Sequence, residues 1–208
     1  GSTVVSSNRS DDAVDVLAFD GGSLVYERSF PVPFEPYGIC LYRDTVVVTA
    51  NGEGRVEQYS LAGERLRRFG DITSQAEGCI ADDERGLLYV AEEERGIWRF
   101  DADADAGPTG TLVDGVGPHL EEDIEGLTLA GPFLIASSQG DATYAVYRDD
   151  EFVASFRIRA TAEVDEASGT DGLAADAGLD LLVVHDAENA DGRSSNYKYV
   201  RLSDVFRR

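Results

Sequence analysis

The sequence predicts an all-β fold, a β-propeller of four-stranded antiparallel blades, and three observations carry that prediction. A glycine-centred motif recurs four times, each copy is followed by further strand-length apolar segments, and no stretch has the apolar spacing of a long amphipathic helix. The motif reads Tyr37-Gly38-Ile39-Cys40-Leu41, Glu77-Gly78-Cys79-Ile80-Ala81, Glu125-Gly126-Leu127-Thr128-Leu129 and Asp171-Gly172-Leu173-Ala174-Ala175, with its glycines 40, 48 and 46 residues apart.

Each motif supplies a first strand. A turn and a second apolar run follow, at Thr45 to Ala50, Leu87 to Ala91, Phe133 to Ser137 and Leu181 to Val184. The third strands alternate aromatic and polar residues: Val56 to Tyr59, Ile97 to Phe100, Tyr144 to Tyr147 and Tyr197 to Val200. Three repeats add a fourth strand, at Leu66 to Phe69, Thr111 to Val113 and Phe152 to Ile158. Before the first motif, Thr3 to Ser6, Val14 to Phe19 and Leu24 to Phe30 read as second, third and fourth strands with no first. The last repeat stops after its third strand. The count is therefore 3 + 4 + 4 + 4 + 3, about five blades with incomplete ends, within a single domain over residues 1–208. Open edges of this kind invite pairing, so an N-terminal blade is expected to be missing, or supplied by a further segment or a second chain.

Forty Asp and Glu against 18 Lys and Arg give 208 residues a formal charge of −22. That field repels phosphate backbones, so nucleic acid is excluded and cations are the natural partners. No apolar run approaches the roughly 18 to 20 residues of a membrane-spanning helix, which leaves no membrane segment. Gly1-Ser2-Thr3 lacks the charged start and apolar stretch of a signal peptide. Two cysteines, Cys40 and Cys79, are too few for a disulfide framework. They stand at positions of opposite parity after their glycines, so no bond between them is expected.

In a blade, the start of the first strand and the end of the second share one rim. That rim gathers Glu77 with Glu92-Glu93-Glu94, Asp123 and Glu125 with Gln139, and Asp171 with Asp186, Glu188 and Asn189. Carboxylates brought together without Lys or Arg between them repel one another unless a cation neutralises them. Carboxylate and amide oxygens are hard donors that suit Ca²⁺. His119 and His185 are read as loop or packing residues, and Ser137 and Ser138 as structural, since nothing places a base beside them.

At this point the residues resemble a known family. Ser74-Gln75-Ala76-Glu77-Gly78, Leu88-Tyr89-Val90-Ala91-Glu92-Glu93, Asp123-Ile124-Glu125-Gly126-Leu127-Thr128, Ser137-Ser138-Gln139-Gly140, Ser168-Gly169-Thr170-Asp171-Gly172 and Asp186-Ala187-Glu188-Asn189 closely resemble the β-propeller phytases, from about Asn8 to the C-terminus. The resemblance implies a six-bladed, calcium-dependent, secreted or periplasmic phosphomonoester hydrolase acting on phytate, inositol hexakisphosphate. It assigns a catalytic cluster of several Ca²⁺ ions to Glu77, Glu93, Asp123, Glu125, Gln139 and Asp171. It assigns a structural calcium to Asp165, Asp186, Glu188 and Asn189, and phosphate contacts to Arg9 and Tyr37. One departure stands out: where the family places a phosphate-binding lysine, this chain has Gly52.

Implied with the family is a hydrolysis in which calcium clamps phosphates, acidifies a water and stabilises charge during in-line attack. Two alternatives belong to other classes: a metal-dependent lactonase-type propeller, and a non-catalytic calcium-stabilised propeller fragment or binding module.

Overall fold

The structure is a computed structural model that describes residues 2–189, 192 and 195–206; Gly1, part of the start read above for a signal peptide, lies outside them. Among the described residues are five antiparallel sheets of three, four, four, four and three strands, the predicted count. The first sheet holds β1 (Ser2–Asn8), β2 (Ala13–Asp20) and β3 (Ser23–Pro31). The second holds β4 (Pro36–Tyr42), β5 (Thr45–Ala50), β6 (Val56–Ser60) and β7 (Arg65–Arg68). The third is β8 (Ala76–Asp82), β9 (Leu87–Glu92), β10 (Gly96–Asp101) and β11 (Thr111–Gly115). The fourth is β12 (Ile124–Ala130), β13 (Phe133–Ser138), β14 (Thr143–Arg148) and β15 (Glu151–Phe156). The fifth is β16 (Leu173–Asp176), β17 (Leu181–Asp186) and β18 (Asn196–Arg201), followed by the one-turn helix α1 (Leu202–Val205). In every sheet, chain order is also spatial order, the meander of a propeller blade.

Burial follows strand position. The second strands β5, β9 and β13 are buried at five of six positions each, because both their faces are covered and their apolar runs are continuous rather than alternating. The outer strands β3 and β15 are largely exposed.

The chain groups into two compact units, Gly1–Tyr89 with Arg99–Thr111, and Val90–Trp98 with Leu112–Arg208, the division running through β9 and β10 of the third sheet. In the first unit, Val14, Val16, Phe30, Val46, Val48 and Tyr59 pack one core. In the second, Ile135, Tyr144, Val146, Leu182, Val184 and Leu202 pack another, so α1 closes the apolar face of the fifth sheet. A buried polar knot stiffens the second sheet. Glu57, fully buried, accepts from Arg55 Nε at 3.0 Å, from Arg65 Nη1 at 3.3 Å and from the Tyr59 hydroxyl. Three donors compensate a carboxylate taken out of water.

The expected independence of the two cysteines is overturned: Cys40 and Cys79 form a disulfide, with Cα atoms 5.7 Å apart. Alignment of the strands by their glycines, 40 residues apart, sets the two cysteines on opposite faces. In the structure β4 meets β8 one residue out of that alignment. A Cβ on Gly38 would lie 1.7 Å from the Glu77 carbonyl oxygen, so position 38 abuts position 77. Two residues further along each strand, on the same face, 40 abuts 79 at the observed separation of 39. A bulge in β4 between Pro36 and Ile39 also resets its alternation.

Replacing both cysteines by serine is expected to lower the unfolding free energy by about 2 to 4 kcal/mol, since the crosslink restricts the unfolded chain. A guanidinium titration with and without dithiothreitol checks this; coincident midpoints would contradict it.

Candidate metal and phosphate site

Glu77 lies on β8 beside the close approach to Gly38, and only 7% of it is exposed. Gln75 Nε2 donates to Glu77 Oε1, and the Gly52 amide donates to Gln75 Oε1 at 2.6 Å. Gly52, where the resemblance expects a lysine, therefore orients a neighbour of the site through its backbone. Its φ of +71° is a conformation in which any side chain is strained.

Arg9 and Tyr37, the two residues assigned to phosphate contacts, lie against each other. The Arg9 guanidinium stands over the Tyr37 ring, 5.0 Å from its centroid. Glu35, which sequence reasoning missed, holds that guanidinium: Arg9 Nε donates to Glu35 Oε1 at 2.6 Å and Nη2 contacts the same oxygen. The acid one residue before β4 was legible only as one of many acids on an acidic chain.

Glu93 follows β9 on the hydrogen-bonded sheet that carries Glu77. The Ile124 amide, at the start of β12, donates to the Glu93 carbonyl at 3.3 Å, and Glu125 follows on β12 with 7% exposure. Glu77, Glu93 and Glu125 each offer a carboxylate oxygen within 4.8 Å of the others. Oxygens sharing one calcium at about 2.3–2.6 Å can be no further apart than about 5 Å, so this donor set fits the ion.

The remaining predicted ligands of the cluster form a second string. Asp123, exposed and just before β12, accepts the Gln139 amide on its carbonyl at 2.9 Å. Gln139, in a one-turn 3-10 helix with Gly140 and Asp141, donates its side-chain amide to Asp171 Oδ1 at 2.8 Å, so Oε1 is the atom it could offer a metal. His185 Nδ1 lies 3.2 Å from Asp171 Oδ2, within ion-pair reach, yet makes no aligned hydrogen bond. Gly140 is required in this turn, because a Cβ there would lie 1.6 Å from the Glu122 carbonyl oxygen.

The four residues assigned to a structural calcium are tied by the chain's own groups. Lys198, buried on β18, places Nζ 2.9 Å from Asp186 Oδ2 and against Asp165 Oδ1. Burial pushes the Lys198 ammonium down, but hydrogen bonds and charge from Asp165 and Asp186 outweigh it and its pKa is raised. The Ser168 amide donates to Asp186 Oδ1 at 3.0 Å, Ser168 Oγ reaches Glu188 Oε2 at 3.4 Å, and Asn196 Nδ2 donates to Asn189 Oδ1. Sequence reasoning missed this role of Lys198.

Ser137, Ser138 and His119 are each engaged by neighbouring groups. Ser137 Oγ donates to the Thr170 carbonyl at 2.7 Å and Ser138 Oγ to that of Glu121 at 3.3 Å. The Tyr144 hydroxyl meets Thr170 Oγ1 at 2.6 Å, and burial pushes its pKa up to about 12. His119 stacks on Phe152 with ring centroids 3.8 Å apart, and its Nδ1 is 2.9 Å from Asp114 Oδ2.

Sheets of this order carrying clustered acids define a β-propeller with an oxygen-rich site suited to a divalent cation. A model of the phytase family matches residues 3–204. The chain belongs to the phytase family. It is 35% identical over 241 residues to the 3-phytase of Bacillus subtilis (strain 168), an alignment covering 96% of this chain and 63% of that relative's length. Among solved structures, a functionally unknown protein from Desulfotomaculum acetoxidans DSM 771 superposes with a TM-score of 0.65 at 12% identity, covering 95% of this chain and 66% of that one. The computationally designed Ika8 protein gives 0.59 at 16% identity, over 96% of this chain and 55% of that one. At such identities these two matches report the fold alone.

Replacing Lys198 by Met is expected to cost about 3 kcal/mol of stability, because it leaves the fully buried Asp186 facing Asp165 without a counter-charge. Chemical denaturation at neutral pH measures the loss; an unchanged midpoint would show that the ammonium is dispensable.

Proposed function

We propose that the protein is a calcium-dependent phosphomonoester hydrolase acting on phytate. The observation that carries the reading is the convergence of Glu77, Glu93 and Glu125 within 4.8 Å, in a chain of the phytase family. The name of its Bacillus subtilis relative, 3-phytase, supports the substrate class.

Glu77, Glu93 and Glu125 would hold calcium, with Asp123, Gln139 and Asp171 as neighbouring oxygen donors. When bound, calcium neutralises these carboxylates and supplies phosphate binding and an acidified water. The chain's own residues do the rest. Arg9 presents a planar donor fork to a phosphate, and the Tyr37 ring beneath fixes the plane of that fork. Glu35 holds Arg9 from the other side, so the guanidinium is oriented before substrate arrives. Burial of Glu77 and Glu125 keeps water from screening the charges they present. Asp165, Asp186, Glu188 and Asn189 would, in the same reading, hold a structural calcium beside Lys198. The protein is proposed to work outside the cytoplasm, in a secreted or periplasmic setting. The Cys40–Cys79 bond supports that setting, since disulfides persist where the surroundings are oxidising.

Phosphate release from calcium phytate is expected to stop in EGTA, and the melting temperature to fall, because calcium binds the folded chain and not the unfolded one. Undiminished release in chelator would sink the calcium reading. Glu125→Gln is expected to lower turnover at least tenfold while the circular dichroism spectrum stays that of the parent, since it removes a ligand charge and keeps the side-chain shape.

A further inference from the structure

We propose that Arg157 and Arg159 form a further phosphate-binding subsite beside the Gln139–Asp171 end of the candidate site; this rests on the reading of the substrate as a polyphosphorylated ring.

The two arginines stand on the segment leaving β15 and line a cavity of about 390 Å³ together with Ala142, Glu166 and Ser168. In a chain with 18 basic residues against 40 acids, two cations stand two positions apart on one cavity wall. The wall is held in place. The Ala167 amide donates to the Ile158 carbonyl at 3.2 Å, and the turn beyond is closed by Thr161 N to the Val164 carbonyl at 2.7 Å.

Short contacts connect this cavity to the candidate site. Gln139 Nε2 donates to Asp171 Oδ1 at 2.8 Å, and the Ala142 amide, on the cavity wall, donates to the Gln139 carbonyl at 3.0 Å. Asp141, in the same turn, has Oδ2 at 3.7 Å from Arg157 Nη2. On the opposite side, Ser168 precedes Asp171 by three residues. The cavity that Arg157 and Arg159 line is thus linked to Asp171 through Ala142 and Gln139.

Charge pairing singles out Arg159. Arg157 shares its charge with Asp141. Arg159 also lines a neighbouring cavity of about 480 Å³ with Lys198 and Arg201. There Lys198 is matched by Asp165 and Asp186, and Arg201 Nε by Asp204 Oδ2 at 3.0 Å. Among the described residues Arg159 has neither ion pair nor hydrogen-bond partner, so its five donors are open to a ligand oxyanion. Glu166 is the opposing charge on the wall of the smaller cavity.

Calorimetric titration of the full chain with inositol hexakisphosphate, in EGTA and at low salt, tests the subsite. Arg159→Gln and the Arg157→Gln/Arg159→Gln pair are expected to raise Kd by about three- to tenfold, the usual worth of a charge-assisted contact at an exposed site. Glu166→Gln is expected to lower Kd, and added salt to shrink all of these differences. Inorganic phosphate, titrated alongside, should show the same order with weaker binding. Kd values unmoved by all three variants overturn the subsite. The two readings fail separately. A chain that binds through Arg159 but releases no phosphate contradicts the hydrolase and keeps the subsite. Hydrolysis with an unaltered KM in Arg159→Gln contradicts the subsite and keeps the hydrolase.

Discussion

Carboxylates brought within 4.8 Å of one another repel, and in this protein the fold holds three of them there: Glu77, Glu93 and Glu125. Two are nearly buried, so water cannot relieve the repulsion as it would on an open surface. A fold that maintains such a cluster needs rigid supports, and the cluster could hold a cation. The supports are visible. β8 is bolted to β4 through the Cys40–Cys79 bond and the glycine-close contact at Gly38, and β12 is hydrogen-bonded to the Glu93 carbonyl at its first residue.

The rest of the structure distributes charge around that constraint. Each buried acid away from the cluster has its own counter-charge or donors: Glu57 has Arg55, Arg65 and Tyr59, Asp186 has Lys198 and the Ser168 amide, and Glu92 accepts from Trp98 Nε1 at 2.6 Å. At the cluster, Gln75 touches Glu77 with an uncharged amide. Such an uncharged donor orients the carboxylate and would leave its charge to an ion.

Much of this was legible in the sequence because both the strand period and the glycine motif are local signals. The runs at Thr45, Leu87 and Phe133 begin β5, β9 and β13 at the predicted residues, and the three-stranded first and last sheets match the strand count. What stayed hidden depends on how strands from different repeats meet. The Cys40–Cys79 bond turns on a one-residue offset between β4 and β8, which spacing between glycines does not encode. Lys198 and Glu35 act through partners 33 and 26 residues away, and each looked like an ordinary surface charge until the fold set it beside Asp165 or Arg9. The last repeat also begins late, β16 starting at Leu173 rather than Asp171, although the His185 amide still donates to the Gly172 carbonyl at 2.8 Å.

Whether calcium occupies the glutamate cluster is the claim on which the functional account turns. Anomalous diffraction from crystals grown with calcium tests it most directly. The account predicts a peak about 2.3–2.6 Å from carboxylate oxygens of Glu77, Glu93 and Glu125 together. Density showing these three side chains bound only to water, at saturating calcium, would contradict it.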